Sequence, residues 1–184
     1  MELVTARLHI DALRPEDAQE LFACRADPSV AIYQGWCPAD LAAASEFIAA
    51  QPLSPSHGWF QRAIRLREAG VLIGDLGVCL PEDPRDSVEF GASIAPAYQG
   101  HGYSSEAVRA LLACVFGELG RHRVHASVDP RNLASMAMLR ALGLRQEAHH
   151  RESLWFKGEW ADDVIFAMLD HEWRAQQASG PHHG

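Results

Sequence analysis

Residues 104–120, SSEAVRALLACVFGELG, place Ala107, Val108, Leu111, Leu112, Val115, Phe116 and Leu119 on one broad face of a helix of about four turns. A face that wide must be covered by another layer, and a sheet is the obvious cover. What comes before it is equally constraining. SVEFGASIAP (87–96) reads as a strand, and the loop that follows sets Gly100 and Gly102 directly ahead of the helix. Strand, glycine loop and helix together frame a site for an anion. The first N–H groups of a helix lack partners and lie at the positive end of its dipole. Glycines let the loop's own amides come close to a pyrophosphate. The same two glycines also suit a plain strand-to-helix turn that needs positive φ, so the loop alone leaves both readings open.

The rest of the chain supplies the sheet. TARLHIDAL (5–13) alternates as a first strand, and RPEDAQELFACRAD and PADLAAASEFIAAQ (38–51) read as helices with Pro and acids at their fronts. WFQRAIRLRE (59–68) and VLIGDLGVCL (71–80) are neighbouring strands around a turn at Ala69-Gly70. RVHASVDP (123–130) is a short strand, NLASMAMLRALG (132–143) a helix ending at glycine, and two strands near RESLWFKG and EWADDVIFAMLDHEW close the domain. The order β-α-α-β-β-β-α-β-α-β-β places the fold in the α/β (α+β) class, a mixed sheet flanked by helices. One domain over 1–177 is expected, with a disordered tail at 178–184.

Charge narrows the partners. The formal charge of the 184 residues is −8, and Lys157 is the only lysine, so clustered cations for nucleic acid are missing. No apolar run approaches the ~20 residues that span a bilayer, and the first residues do not read as a secretory leader. Cys24, Cys37, Cys79 and Cys114 lack CxxC spacing, which suits reduced thiols in a cytoplasmic protein. His149-His150 and His182-His183 have no carboxylate or cysteine at metal-ligand spacing, so no metal is assigned.

A dinucleotide site is the rival for the loop, since GHGYSS approaches GxGxxG and Asp129 follows on the next strand. The third glycine is missing, a strand meander precedes the loop, and too little chain follows for a second mononucleotide half. The residues instead resemble the GNAT superfamily of acyl-CoA-dependent N-acyltransferases, whose Gln/Arg-x-x-Gly-x-Gly/Ala motif stands here as Gln99-Gly100-His101-Gly102-Tyr103-Ser104, with serine last. TARLHIDALRPEDAQELF, EFGASIAPAYQGHGYSSEA, DPRNLASMAMLRALGL and LWFKGEWADDVIFAML resemble, in the same order, segments of the branch that includes ribosomal-protein N-terminal acetyltransferases.

The resemblance implies a mostly antiparallel sheet whose fourth and fifth strands, 87–96 and 123–130, splay apart around the cosubstrate. It implies that amides around Gly100, Gly102, Ser104 and Ser105 hold the pyrophosphate of acetyl-CoA, with Gln99, His101 and Tyr103 in the same loop. The backbone of Ser93, Ile94 and Ala95 is expected to bind the pantetheine arm, and Asn132 to touch it while also capping its helix. Glu106 is expected to point away from the phosphates.

The chemistry sets further demands. A lysine-like amine is only about one part in a thousand neutral at pH 7, and an α-amine roughly a tenth. A base must therefore accept a proton. Glu89 is the candidate, with Asp75 a weaker one. Relatives often place a tyrosine seven residues after the asparagine to protonate the thiolate; here Leu139 stands there, and Ser135 is the remaining hydroxyl. Tyr33, Trp36 and Trp59 are candidates for the acceptor pocket, although core packing also suits aromatics. The expected acceptor is a primary amine, on a protein N-terminus or a small molecule. A non-catalytic acyl-CoA-binding module is the alternative, and the apolar closing strands could pair two subunits as a homodimer.

Overall fold

Alternation between residues 58 and 94 folds as a meander of three strands, β3 (Gly58–Leu66), β4 (Leu72–Leu80) and β5 (Val88–Ile94). Gly70, at φ 67°, makes the first turn in a conformation that side-chain-bearing residues resist. The structure, a computed structural model, describes residues 1–54 and 56–179. β1 (Leu3–Val4) and β2 (Leu8–Ala12) extend the meander on one side. β6 (Arg123–Val128), β7 (Arg145–Phe156) and β8 (Glu159–Leu169) complete a sheet in the order β1-β2-β3-β4-β5-β6-β8-β7. This is the expected mixed, mostly antiparallel α/β sheet.

Every neighbouring pair is antiparallel except β5 and β6. A parallel step needs a crossover, and the long apolar face read in the sequence supplies it as α4 (Tyr103–Ala113). β5 and β6 pair only at Val88–Val124 and Glu89–His125, after which the strands separate. These are the fourth and fifth strands of the sequence reading; the two-residue β1 shifts the count by one.

Strand alternation sorts side chains between two layers. Phe60 and Ile64 of β3 enter the larger core with Ala107, Val108, Leu111 and Leu112 of α4, while Ala63 enters a smaller cluster with Leu21 and Ile48. The smaller cluster is built by α1 (Ala18–Ala26) and α3 (Leu41–Ala49) on the opposite face. Truncating Leu111 or Leu112 to alanine removes a fully buried side chain, a loss of about 2–5 kcal/mol.

Three local features depart from the sequence reading. The helix expected through residue 120 changes to a π turn over Cys114–Glu118, with Leu119 N–H on the Cys114 carbonyl at 2.9 Å. The wider turn shifts the phase of the apolar face, which leaves Leu119 40% exposed. A short α2 (Pro28–Ala31) appears where none was expected, capped by the Asp27 carboxylate on Ser29 N–H. DHEW, read as the end of the last strand, instead begins α6 (Asp170–Ser179). Glu172 accepts the Leu169 N–H at 2.8 Å, and Trp173 stacks on Phe116 with centroids 6.2 Å apart. Ala178 and Ser179 of the expected tail thus belong to α6, and residues 180–184 lie outside the described residues. Among the described residues, no helix is long and apolar enough to cross a membrane.

Candidate active site

Between the end of β5 and α4 the loop holds Gly100 at φ 77° and Gly102 at φ 79°, both in the left-handed region. The first helical bond is Glu106 N–H to Gly102 C=O at 3.0 Å. Among the described residues, the amides of Gly100 through Ser105 donate to no protein acceptor. Six consecutive free donors at a helix N-terminus make a cradle that suits an anion. Gln99 ties the cradle to the strand by donating its side-chain amide to the Ile94 carbonyl at 2.8 Å.

The other anchor is Glu106. Its carboxylate turns away from the cradle and accepts from Thr5 Oγ1 (2.6 Å), Arg7 N–H (2.9 Å) and Arg7 Nε (2.6 Å). Arg7 in turn donates to the His101 carbonyl at 3.0 Å and lies over the Tyr103 ring. Burial raises the carboxyl's pKa, but the Thr5 and Arg7 hydrogen bonds outweigh it, so Glu106 lies below the usual carboxylate range. The His101 ring bends back to Gln99 C=O at 2.8 Å, and His101 does not line the cleft.

The cradle opens into a cleft of about 640 Å³ where β5 and β6 part. Ser93, Ile94, Gln99, Gly100, Gly102, Tyr103, Ser104 and Ser105 form one wall. Asn132 and Ser135, at the start of α5 (Leu133–Ala141), form the other. The expected backbone contacts need correction. Ala95 N–H is committed to Ile73 C=O at 2.8 Å, and alternation directs Ser93 N–H toward β4 as well. The amides that face the gap are those of Ala92 and Ile94. Ser93 lines the cleft, and its Oγ is buried with no partner among the described residues. An orphaned hydroxyl beside free strand amides suits an extended, amide-bearing ligand with phosphates at one end.

Asn132 caps α5 through Oδ1 on the Ser135 N–H at 3.1 Å, which leaves its side-chain NH2 for other partners. Ser135 Oγ makes no hydrogen bond to the described residues. Leu139 is 1% exposed in the core, so nothing at that position reaches a thiolate. Tyr33 lines this larger cleft, its hydroxyl 3.4 Å from the Arg131 carbonyl, and does not join Trp36 and Trp59.

Trp36 and Trp59 meet Glu89 in a second cavity of about 270 Å³. Trp36 stacks on Phe47 at 4.0 Å between centroids, and Trp59 is 56% exposed on β3. Glu89 Oε2 lies 3.6 Å from His125 Nε2, and His125 Nδ1 is 3.0 Å from Ser87 Oγ. Burial lowers the His125 pKa against the pull of Glu89, which favours neutral imidazole near pH 7. Asp75 does not qualify as a base. It is 0% exposed, and both oxygens accept from Arg25, Nε at 2.9 Å and Nη2 closer still. The sequence reading missed Arg25 and Gln34: Arg25 Nη1 donates to Gln34 Oε1 at 2.6 Å, and Gln34 lines both cavities.

No cysteine among the described residues lines either cavity. Burial pushes the Cys24 thiol up to about 12 and Cys114 to about 11. His149 pairs with Asp162 at 2.7 Å, while His182 and His183 lie outside the described residues. Among the described residues, no group of three or more His, Cys, Asp or Glu is placed to hold a metal ion.

Residues 7–145 match the family model described as acetyltransferase (GNAT) domain. The Bacillus subtilis protein named uncharacterized N-acetyltransferase YnaD is 33% identical over 108 residues, 59% of this chain and 63% of that protein. The Escherichia coli [ribosomal protein uS5]-alanine N-acetyltransferase is 31% identical over 84 residues, 46% of this chain and 43% of that protein. The matched segments thus span less than two thirds of both relatives. A GNAT-family acetyltransferase structure from Bacillus anthracis superposes with a TM-score of 0.84 at 23% identity, covering 93% of this chain and 99% of that one, a likeness of fold. With the family model matching well over half its length, on the fold and around the cradle just described, the chain belongs to the GNAT family of acetyltransferases.

Proposed function

We propose that the enzyme transfers the acetyl group of acetyl-CoA to a primary amine by direct attack in a ternary complex. One observation carries the reading. A cleft that begins at six free amides runs along the β5–β6 gap and meets a separate aromatic cavity holding a carboxylate. The cradle takes the pyrophosphate, the Ala92 and Ile94 amides and Ser93 Oγ take the pantetheine arm, and the acceptor enters beside Trp36 and Trp59. Aromatic faces and a carboxylate suit an ammonium group on its way in.

Glu89, directly or through a water, takes the proton that makes the amine nucleophilic. The nitrogen lone pair forms the new C–N bond while the carbonyl π pair moves to oxygen. Collapse restores the carbonyl as the nitrogen gives up its second proton and the CoA thiolate leaves to take up one, with Ser135 Oγ, on the cleft wall, the hydroxyl that hydrogen-bonds the departing sulfur. Direct attack is favoured over an acyl-cysteine route because no thiol lines either cavity and Cys79, beside Glu89, has its pKa raised by burial and by that carboxylate. The acceptor class is a protein N-terminal amine or a small-molecule amine. The likeness to an enzyme named for a ribosomal-protein alanine supports the former. The setting is the cytoplasm, where four free thiols stay reduced.

Thiol release from acetyl-CoA, measured against peptides with free N-terminal alanine and against polyamines, tests the reading. Turnover with at least one amine is expected. CoA binding without turnover on any of them would favour a non-catalytic acyl-CoA-binding domain.

A further inference from the structure

Among the described residues, Gln34 alone lines both the 640 Å³ cleft and the 270 Å³ cavity. Its orientation is fixed by chemistry. A guanidinium has donors only, so Arg25 Nη1 at 2.6 Å must face the carbonyl oxygen of the Gln34 amide. The side-chain NH2 is thereby turned away from Arg25, with two donors to offer at the junction. Arg25 cannot swing to release it. The guanidinium is 6% exposed and its other nitrogens grip the fully buried Asp75. Burial opposes the charge on Arg25, but Asp75 more than offsets that, and the guanidinium stays ionised.

A buried ion pair adds little net stability compared with an apolar pair of the same volume. Its evident effect here is to hold one amide in one orientation. In direct transfer the thioester carbon must lie where the donor cleft meets the acceptor cavity, because the amine arrives from one and the sulfur departs into the other. We infer that the Gln34 NH2 is the side-chain donor to the acetyl carbonyl oxygen as negative charge develops on it, and that Arg25 and Asp75 position it. The inference rests on the acetyl-transfer reading above. As the C–N bond forms, the carbonyl π pair moves to this oxygen, and a fixed donor there acts where charge is gained.

The test has a readout that needs neither an acceptor nor turnover. The infrared carbonyl band of acetyl-CoA labelled with carbon-13 at the thioester carbon is recorded free and bound to the enzyme. Gln34→Glu keeps an oxygen for Arg25 but exchanges the donors for a charged acceptor; Gln34→Met removes oxygen and donors without adding charge. In the wild type the bound band falls below that of free acetyl-CoA, and in both variants it returns toward the free value. CoA affinity by calorimetry changes less than about threefold, and turnover with any accepted amine falls by about 10²–10³-fold.

A wild-type band at the free position, or one that stays lowered in both variants, overturns the assignment. So does an equal loss of affinity for CoA and acetyl-CoA with the band unmoved, since Gln34 would then hold the arm. A lowered band without turnover on any amine would leave Gln34 in place and overturn only the transfer reading. No binding of acetyl-CoA would overturn both.

Discussion

Asp75→Asn offers the sharpest physical test, because a single atom changes in a fully buried site. Asparagine keeps one oxygen for Arg25 Nε but sets an NH2 against Nη2, so two donors face each other. Two effects follow. The lost charge-assisted hydrogen bond is worth about 1.5–3 kcal/mol, and the positive Arg25 left without a counter-ion costs about 3–5 kcal/mol in all. The second effect contains the first and decides the outcome. Against a total stability of about 5–15 kcal/mol, that is a large fraction. At about 2–4 °C per kcal/mol for a chain of this size, the midpoint of thermal unfolding should fall by roughly 6–20 °C. Urea unfolding followed by tryptophan fluorescence gives the free energy directly, with an unchanged slope showing that only stability moved. The double variant Arg25→Met/Asp75→Leu removes both charges and should regain most of the loss. A single-variant loss below about 1 kcal/mol, or a double variant as unstable as the sum of the singles, would refute the picture of a charge stranded in the core.

Other perturbations test the site more directly. Glu89→Gln should lower turnover by about a hundredfold or more while CoA affinity by calorimetry stays the same; unchanged turnover would remove Glu89 from the mechanism. Glu106 has a depressed folded pKa, so its stabilisation is present above the unfolded carboxylate value and is lost as pH falls through the folded one. Glu106→Gln should therefore cost about 1 kcal/mol at pH 7, discounted for the exposed Arg7, and less at pH 3. Equal losses at both pH values, read from urea midpoints, would sink that account. Gly102→Ala puts a side chain at φ 79°, about 1–2 kcal/mol of backbone strain, while the added Cβ meets nothing closer than Arg7 Nη2 at 3.6 Å. CoA affinity should drop at least tenfold as the loop amides are re-aimed; unaltered calorimetric binding would argue against the cradle.

The sequence made some of this visible and concealed the rest for physical reasons. Gly100 and Gly102 were legible because positive φ admits few residues, and the face of α4 because Ala107, Val108, Leu111 and Leu112 keep one period. The splay of β5 from β6 was available only through family likeness, since no residue encodes a gap. Ala95 was misjudged because which edge a strand amide faces depends on register, here set by the Ala95–Ile73 bond. Asp75 looked like a base because its partner Arg25 lies 50 residues away and only the tertiary fold joins them. DHEW read as strand because Trp173 is apolar, yet Glu172 and the Phe116 stack start a helix there.

The outer edge of the sheet has its own consequence. β7 carries Arg145, Glu147, His149, His150, Arg151 and Glu152 in sequence along one border, with register breaks at Gln146/Ala148 and His150/Leu154 and a positive φ at Glu152. Such a border is a poor template for a further strand, since charge and kinks both interrupt the ladder a newcomer would need. Crowded copies of the chain therefore have little means of growing sheet onto sheet through residues 145–152. The exposed large apolar side chains of the same hairpin, Leu154, Trp155 and Trp160, lie near its tip, where Trp155 and Trp160 meet edge to face.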